Sequence, residues 1–322
     1  MLSGASKASD FYTADTIFEM VAPILDACPP ALVACQDRQD VTAAVVGLYV
    51  SIAESQVSWL SVEQMSIFDL ACLKLLRTFA GIEEQDSVRG KASWRRTERE
   101  DWLGHHMLAL LQLLLNLARH GDRTDSVDFS KEARGGHMDV ADVVLYGLGL
   151  IQPLITPEAL QVPALAKAFF NLLGWLMEAH PHKIAELEKS VADPLMACLL
   201  HGLQHMDADL SRVAVEAIDA LASHHVTMVQ VNGTCLMKTA HPSLLATFLR
   251  ALLEMLLFRE FNRGMLDACC DALLSLMLCE QACFTELMGG VVQGQVLDSL
   301  RHQVSPPPFL RKGVSLAYVG RN

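Results

Sequence analysis

Residues 138–184 read MDVADVVLYGLGLIQPLITPEALQVPALAKAFFNLLGWLMEAHPHKI, and residues 191–225 read VADPLMACLLHGLQHMDADLSRVAVEAIDALASHH. Each stretch pairs a very apolar segment with a second segment that carries one thin polar stripe, which is the pattern of a helical hairpin. Because such a hairpin cannot bury all of its apolar surface alone, it must stack on neighbouring hairpins. The two stretches therefore predict an array of stacked helical pairs.

The spacing of the hairpins indicates a repeat. Their first helices are expected to begin near Asp139, Val191, His241 and Phe284, a period of about 50 residues, which is the long end of known helical-hairpin repeats. The predicted fold class is all-α, an α-solenoid of stacked HEAT-like hairpins. Predicted helices lie near residues 14–27, 40–57, 61–80, 99–119, 139–155, 163–180, 191–206, 208–224, 241–259, 263–279, 284–302 and 306–319.

Local signals give a cause for several helix boundaries. Asp139 and Asp207 are predicted N-caps, and Pro163 and Pro194 suit a first helical turn. Residues 226–231 have a β-like composition and end in an Asn-Gly turn dipeptide, so they are predicted to form a loop between repeats.

The predicted organisation is one continuous array in two parts. Residues 1–137 hold N-terminal hairpins with mobile loops near residues 81–101 and 121–136, where charged and loop-forming residues cluster. Residues 138–322 hold the repeats that follow the hairpin pattern most closely.

Composition excludes several classes of function. The 322 residues are 52% hydrophobic and 6% aromatic, as expected for helix interfaces filled by aliphatic side chains. A net charge of −12 argues against nucleic-acid binding, which relies on clustered Lys and Arg. The uncharged runs at residues 103–118 and 143–157 are shorter than the roughly 18 to 20 residues of a membrane span. No membrane insertion and no secretion signal are expected, so the chain is interpreted as intracellular.

The chain offers little for catalysis or for metal binding. Its nine cysteines form no Cys-x-x-Cys pair and are predicted to be buried thiols. His201 and His205 have the i, i+4 spacing of zinc ligands, but Gly202 occupies the place of the general base of a zinc protease. Phosphate-binding, nucleophile-elbow and dinucleotide motifs are missing from the sequence. We therefore expect no enzyme activity, no cofactor and no resident metal.

One set of residues points to a known family. It comprises Ala141-Asp142-Val143-Val144-Leu145-Tyr146-Gly147, Pro153-Leu154, Pro163 with Leu165, Phe169-Phe170 with Leu172, Pro181 with Lys183-Ile184, and Glu216-Ala217-Ile218 with Ala220-Leu221-Ala222. These residues resemble the C-terminal region of the exportin-4 family of nuclear transport receptors, in the importin-β superfamily. The likeness is clearest from about Val140 to Ala222, weaker toward the end at Ala317-Tyr318-Val319-Gly320, and faint before residue 100.

The resemblance implies a function in nucleocytoplasmic transport. It implies protein export from the nucleus by binding of a cargo together with Ran-GTP, contact with nuclear pore proteins, and shuttling between nucleus and cytoplasm. A cargo of such receptors is the hypusine-bearing translation elongation factor. Members of the family are several times longer and grip Ran mainly through N-terminal repeats. The chain is therefore expected to be a fragment of a longer receptor or a shortened homologue that acts as a Ran-independent helical scaffold.

The resemblance also implies a binding surface, because the second helices of such hairpins line the concave side that encloses cargo. In this chain polar residues recur every three or four positions on two of these helices. The alternative interpretation is an ordinary solvated helix face. The candidate cargo-binding residues are Asp209, Arg212, Glu216, Asp219, Asp267 and Asp271. Their acids predict a negative surface suited to a basic cargo.

Overall fold

The structure is a computed structural model that describes residues 13–36, 38–88, 96–125, 139–155, 159–234, 236–259 and 262–292. Thirteen α-helices and four short 3-10 helices cover most of these residues, and no strand occurs among them. The all-α prediction is confirmed. The helices are α1 (Ala14–Ala34), α2 (Gln39–Ser55), α3 (Val62–Val88), α4 (Arg96–Asp125), α5 (Val140–Ile151), α6 (Pro163–Ala179), α7 (Pro181–Glu186), α8 (Lys189–Leu203), α9 (Ala208–Asn232), α10 (Leu236–Ala240), α11 (Leu244–Phe258), α12 (Leu266–Cys279) and α13 (Gln281–Val292).

The chain divides into two compact units, Met1–Ala217 and Ile218–Asn322. In the first unit, α1 packs on α3 and α3 on α5, while α2 packs on α4, α4 on α6 and α6 on α8. Alternate helices therefore lie in the same layer, which is the arrangement produced when hairpins stack. The predicted stacking of helical hairpins is confirmed.

An aromatic cluster holds the first helices of this unit together. Phe68 of α3 contacts Phe18 of α1 edge-on at 6.5 Å and stacks on Tyr49 of α2 at 6.1 Å between ring centroids. All three side chains are fully buried. The Tyr49 hydroxyl donates a hydrogen bond of 3.0 Å to the carbonyl of Leu25, which satisfies the only polar group that the cluster buries.

The second unit is built around α11, which packs on both α12 and α13. Apolar residues recur at helical spacing along one face of α11. Those that are buried there include Leu245, Phe248, Leu249 and Leu252. Leu276 of α12 is fully buried as well. Burial of these large apolar side chains against α12 and α13 is favourable and stabilises the unit.

Several helices extend further than the sequence predicts. Residues 226–231 belong to α9, so the predicted loop there is wrong: valine is only a mildly poor helix former, and the helix ends at Gly233. Helix also occupies parts of the predicted loops near residues 81–101 and 121–136, because α3 reaches Val88 and α4 runs from Arg96 to Asp125. Residues 89–95 and 126–138, the remainder of these loops, lie outside the described residues.

Other boundaries confirm or correct the predicted signals. The Asp139 side chain accepts a hydrogen bond from the Ala141 N–H and caps α5, and Pro163 lies in the first turn of α6. Pro194 is instead inside α8, which begins at Lys189. The predicted division of the array at residue 138 stays a prediction. The predicted last helix, 306–319, lies outside the described residues.

One described helix, α1, has the length and apolar composition of a membrane span, and α12 with α13 passes the same test only if the two are joined across a 109° bend. Helices that fill a protein core share this composition. The buried face of α1 carries Phe18, Val21 and Leu25, so we interpret α1 as a helix of the hairpin stack.

Candidate protein-binding surface

The N-terminal part of α9 exposes the first three candidate residues. The Asp207 carboxylate accepts a hydrogen bond of 2.9 Å from the Asp209 N–H and so caps the helix, as predicted. Asp209 and Arg212 form an ion pair of 2.8 Å on the exposed face, so the two charges largely cancel. Glu216 follows on the same face and is exposed. Leu210, opposite, is buried.

The second unit links α9 and α12 through two side chains. The hydroxyl groups of Ser223 and Ser275 form a hydrogen bond of 2.9 Å, although they are 52 residues apart in the sequence. The Cys279 thiol donates to the carbonyl of Ala222 at 3.4 Å. The facing sides of α9 and α12 are therefore in direct contact at these positions.

Carboxylates lie one helical turn before each serine. Asp219 precedes Ser223 by four residues and accepts a hydrogen bond of 3.3 Å from its hydroxyl. Asp271 precedes Ser275 by four residues, and Asp267 lies one turn further back. Both acids of α12 are exposed, and neither is in an ion pair within the described part of the chain.

We call Asp219, Ser223, Asp267, Asp271 and Ser275 the acidic surface. Three of the six candidate residues, Asp219, Asp267 and Asp271, belong to this surface in the second unit. The other three lie in the first unit, where Asp209 and Arg212 neutralise each other. The helical period of the sequence correctly predicts that these residues lie on polar faces. The serine contact was not predicted, because helical period gives no information on which helices are neighbours.

The two histidines considered as a metal site, His201 and His205, lie beside each other in the structure. The rings of His201 and His205 lie 6.4 Å apart, and the Nδ1 atom of His205 accepts a hydrogen bond from the Asp207 N–H at 3.0 Å. Burial, with a smaller contribution from His205, lowers the pKa of His201. In the residues that the structure describes, no group of three metal-ligating side chains occurs.

The stacked hairpins and the exposed polar faces of their helices define a helical-repeat protein. A sequence-family model described as Exportin-4 matches residues 14–300. The chain belongs to the exportin-4 family, a family of nuclear export receptors. The match begins far upstream of residue 100, where the likeness was expected to be faint, so the N-terminal hairpins share the family relationship.

Proposed function

We propose that the chain contributes a cargo-binding part of a nuclear export receptor and that its acidic surface contacts a basic segment of the cargo. The observation that carries this proposal is the pair of exposed acids on α12, Asp267 and Asp271, which no described cation neutralises. Family membership supplies the context of protein transport.

The chemistry of this surface favours a cationic partner. Exposed carboxylates steer a positively charged partner toward them and then form charge-assisted hydrogen bonds with its ammonium or guanidinium groups. The serine contact holds α12 beside α9, and a hydrogen bond from Ser223 holds the Asp219 carboxylate beside this contact. Asp271 lies four residues before Ser275 on α12. The hypusine-bearing translation elongation factor, whose modified lysine is cationic, is a cargo of this chemical class.

The wider proposal follows from the family. The chain acts by binding and not by catalysis, its cargo complex depends on Ran-GTP, and it contacts nuclear pore proteins while it shuttles between nucleus and cytoplasm. Asp209, Arg212 and Glu216 contribute a second, weaker polar face, because Asp209 and Arg212 are already paired. The alternative function is a helical scaffold that binds proteins without Ran.

The test measures binding of the elongation factor, with and without its hypusine, to the chain in the presence of Ran-GTP or Ran-GDP. The variant Asp267→Lys with Asp271→Lys is compared with a control of equal charge change, Asp15→Lys with Glu19→Lys, at two exposed acids of α1. We expect the α12 variant to weaken binding about tenfold or more at low salt, and the control to change it less than about twofold.

Each outcome decides a different part of the proposal. Equal binding by the two variants contradicts the role of the acidic surface. Equal binding with Ran-GTP and Ran-GDP contradicts Ran-dependent transport and favours the scaffold. Equal binding of the modified and unmodified factor would contradict recognition of hypusine. It would remain consistent with binding of another basic segment of the cargo.

A further inference from the structure

The second unit contains a cavity of about 530 Å³ beside the C-terminal end of α9. Its walls come from the last turns of α9, from α10 and from the junction of α12 with α13. This volume lies within the range of small-molecule and peptide side-chain sites. The lining has an apolar part, Val226, Val229 and Leu278, and an uncharged polar part, Gln230, Thr234, Thr239 and Gln281.

The charges at this cavity neutralise one another. The Nζ atom of Lys238 lies 3.1 Å from Glu280 Oε1 and donates to the carbonyl of Cys279 at 3.5 Å. The lysine therefore caps the C-terminal end of α12, where a cation is favourable. The Lys238 side chain is 48% exposed and the Glu280 side chain 13%, and the two opposite charges of this pair sum to zero at the wall.

His225 adds a neutral polar group to the same wall. Its side chain is buried, and the Nδ1 atom has no hydrogen-bond partner within the described residues. Burial lowers the pKa of His225, Lys238 and His224 lower it further, and Glu280 opposes them in part. These effects favour the neutral form of the imidazole.

We infer that this cavity binds an uncharged peptide segment of a protein partner, which inserts one aliphatic side chain. The aliphatic group packs against Val226, Val229 and Leu278, since these side chains form the apolar wall. The amide and hydroxyl groups around them match the donors and acceptors of a peptide backbone. A charged side chain would lose hydration without gaining an opposite charge.

This inference is independent of the proposed cargo surface. The acidic surface selects cations, whereas the cavity selects neutral groups, so the two sites recognise different parts of one partner or different partners. Gly233 sets the shape of the rim: its φ of +73° ends α9 and turns the chain toward Thr234. The Asn232-Gly233 dipeptide is the one sequence signal that pointed to this place.

The test uses the intact chain and two small probes, N-acetyl-leucine N-methylamide and N-acetyl-lysine N-methylamide. Binding is followed by the amide resonances of Gly233, Thr234 and Thr239 in ¹⁵N-labelled protein. We expect the leucine probe to shift these resonances saturably, with a Kd of about 1 mM, because so small a ligand binds weakly. We expect the lysine probe to bind at least about fivefold more weakly.

Three variants test where the leucine probe binds. Thr239→Trp fills the cavity, and Thr247→Trp places the same ring at another exposed helical threonine of this unit, outside the cavity. We expect Thr239→Trp to raise the Kd of the leucine probe more than about tenfold, and Thr247→Trp to leave it unchanged. Val229→Thr, which keeps the shape of the side chain but makes the wall polar, is expected to raise it about threefold.

Several results overturn the inference. These are no saturable shift with the leucine probe, equal binding of the lysine probe, or equal effects of the two tryptophan variants. The Asp267→Lys, Asp271→Lys variant should leave the leucine probe bound, and Thr239→Trp should leave the basic cargo segment bound. Failure of this inference is thereby distinguishable from failure of the proposed function.

Discussion

Lys183 joins α7 to the N-terminal cap of α5, because its Nζ atom lies 2.7 Å from Asp139 Oδ2. The same ammonium lies 2.5 Å from Asp142 Oδ1, and only 15% of the lysine side chain is exposed. Asp139 meanwhile caps α5 through the Ala141 N–H at 3.0 Å. Asp142 and Lys183, two of the residues that carry the family resemblance, thus form an ion pair that connects α5 to α7.

The substitution Lys183→Met should remove the ion pairs between α7 and α5. The substitution leaves Asp139 and Asp142 close together without their cation, so we expect the free energy of unfolding at pH 7 to fall by about 1–2 kcal/mol after allowance for solvent exposure. Urea unfolding measures this change. Lys167→Met, at an exposed lysine of α6, is the control and should have little effect.

The pH dependence of that difference has a definite sign. Burial opposes ionisation of Asp139, but the hydrogen bonds from Lys183 and the Ala141 N–H prevail and lower its pKa. A carboxyl with a lowered pKa contributes stability above its ordinary value of 3.8, and this stability is lost as the pH falls through the lowered pKa. The stability difference between the wild type and Lys183→Met should therefore begin to shrink as the pH falls below 3.8 and should vanish only below the lowered pKa. A difference that stays constant down to pH 3 would contradict this assignment.

Asp69 is a buried carboxyl in α3 that lacks a hydrogen-bond partner at either oxygen among the described residues. Its side chain is almost completely buried. Burial raises the pKa of Asp69 to about 7. A group with a raised pKa contributes its full stability below the unfolded value of 3.8, and this contribution is lost as the pH rises to about 7.

Asp69→Asn removes this ionisation at nearly constant shape. We expect the variant to be more stable than the wild type by about 2–4 kcal/mol at pH 8, and the gain to shrink steadily as the pH is lowered to 5. Urea unfolding at the two pH values measures both effects. Asp15→Asn, at an exposed acid of α1, should show neither. Equal effects of Asp69→Asn at pH 5 and 8 would mean that this carboxyl does not titrate in that interval.

The hairpin architecture was predictable because its signals are local. The paired apolar segments, the Asp139 cap and Pro163 at a first turn all act within a few residues. The extension of α9 through residues 226–231 was not predictable from the same signals, since three valines and an Asn-Gly dipeptide favour a strand or a turn locally. In the structure these residues nevertheless continue α9 as helix, and Val226 and Val229 lie at the wall of the cavity.

The site was only partly predictable for a related reason. Helical period identifies which residues of one helix share a face, and this placed Asp267, Asp271 and Ser275 together on α12. It does not identify the neighbouring helix, so the contact between Ser223 and Ser275 required the structure. The cavity also escaped prediction, because its lining comes from four helices and from the turn at Gly233.

Gly202 marks a close approach between helices in the first unit. A Cβ atom at this position would lie 2.6 Å from Phe170 Cε1 and 2.8 Å from the Cβ atom of Ala214. Neither neighbour can withdraw easily, since one belongs to a buried ring and the other is fixed to its backbone. We expect Gly202→Ala to lower the free energy of unfolding by about 1–3 kcal/mol, despite the better helix propensity of alanine.

Gly149→Ala is the matched comparison for Gly202→Ala. The nearest atom to a Cβ at Gly149 is Val191 Cγ1 at 3.9 Å, an ordinary contact. This substitution should stabilise α5 by about 0.5–1 kcal/mol. Thermal unfolding of both variants, and of Gly202→Ala combined with Phe170→Leu, provides the check. If Phe170→Leu recovers none of the loss, the close approach to the ring is not its cause.

Gly233 isolates the effect of backbone conformation, because no atom lies within 4 Å of a Cβ built there. Its φ of +73° is left-handed, and its N–H donates to the carbonyl of Val229 at 2.9 Å, which ends α9. We expect Gly233→Ala to destabilise the protein by about 1 kcal/mol and Gly233→Asn to cost less, since asparagine tolerates this conformation better. Gly47→Ala, at an equally open position inside α2, should instead stabilise by about 0.5–1 kcal/mol. Urea unfolding measures the three variants, and the same sign for alanine at both glycines would contradict a left-handed cap at Gly233.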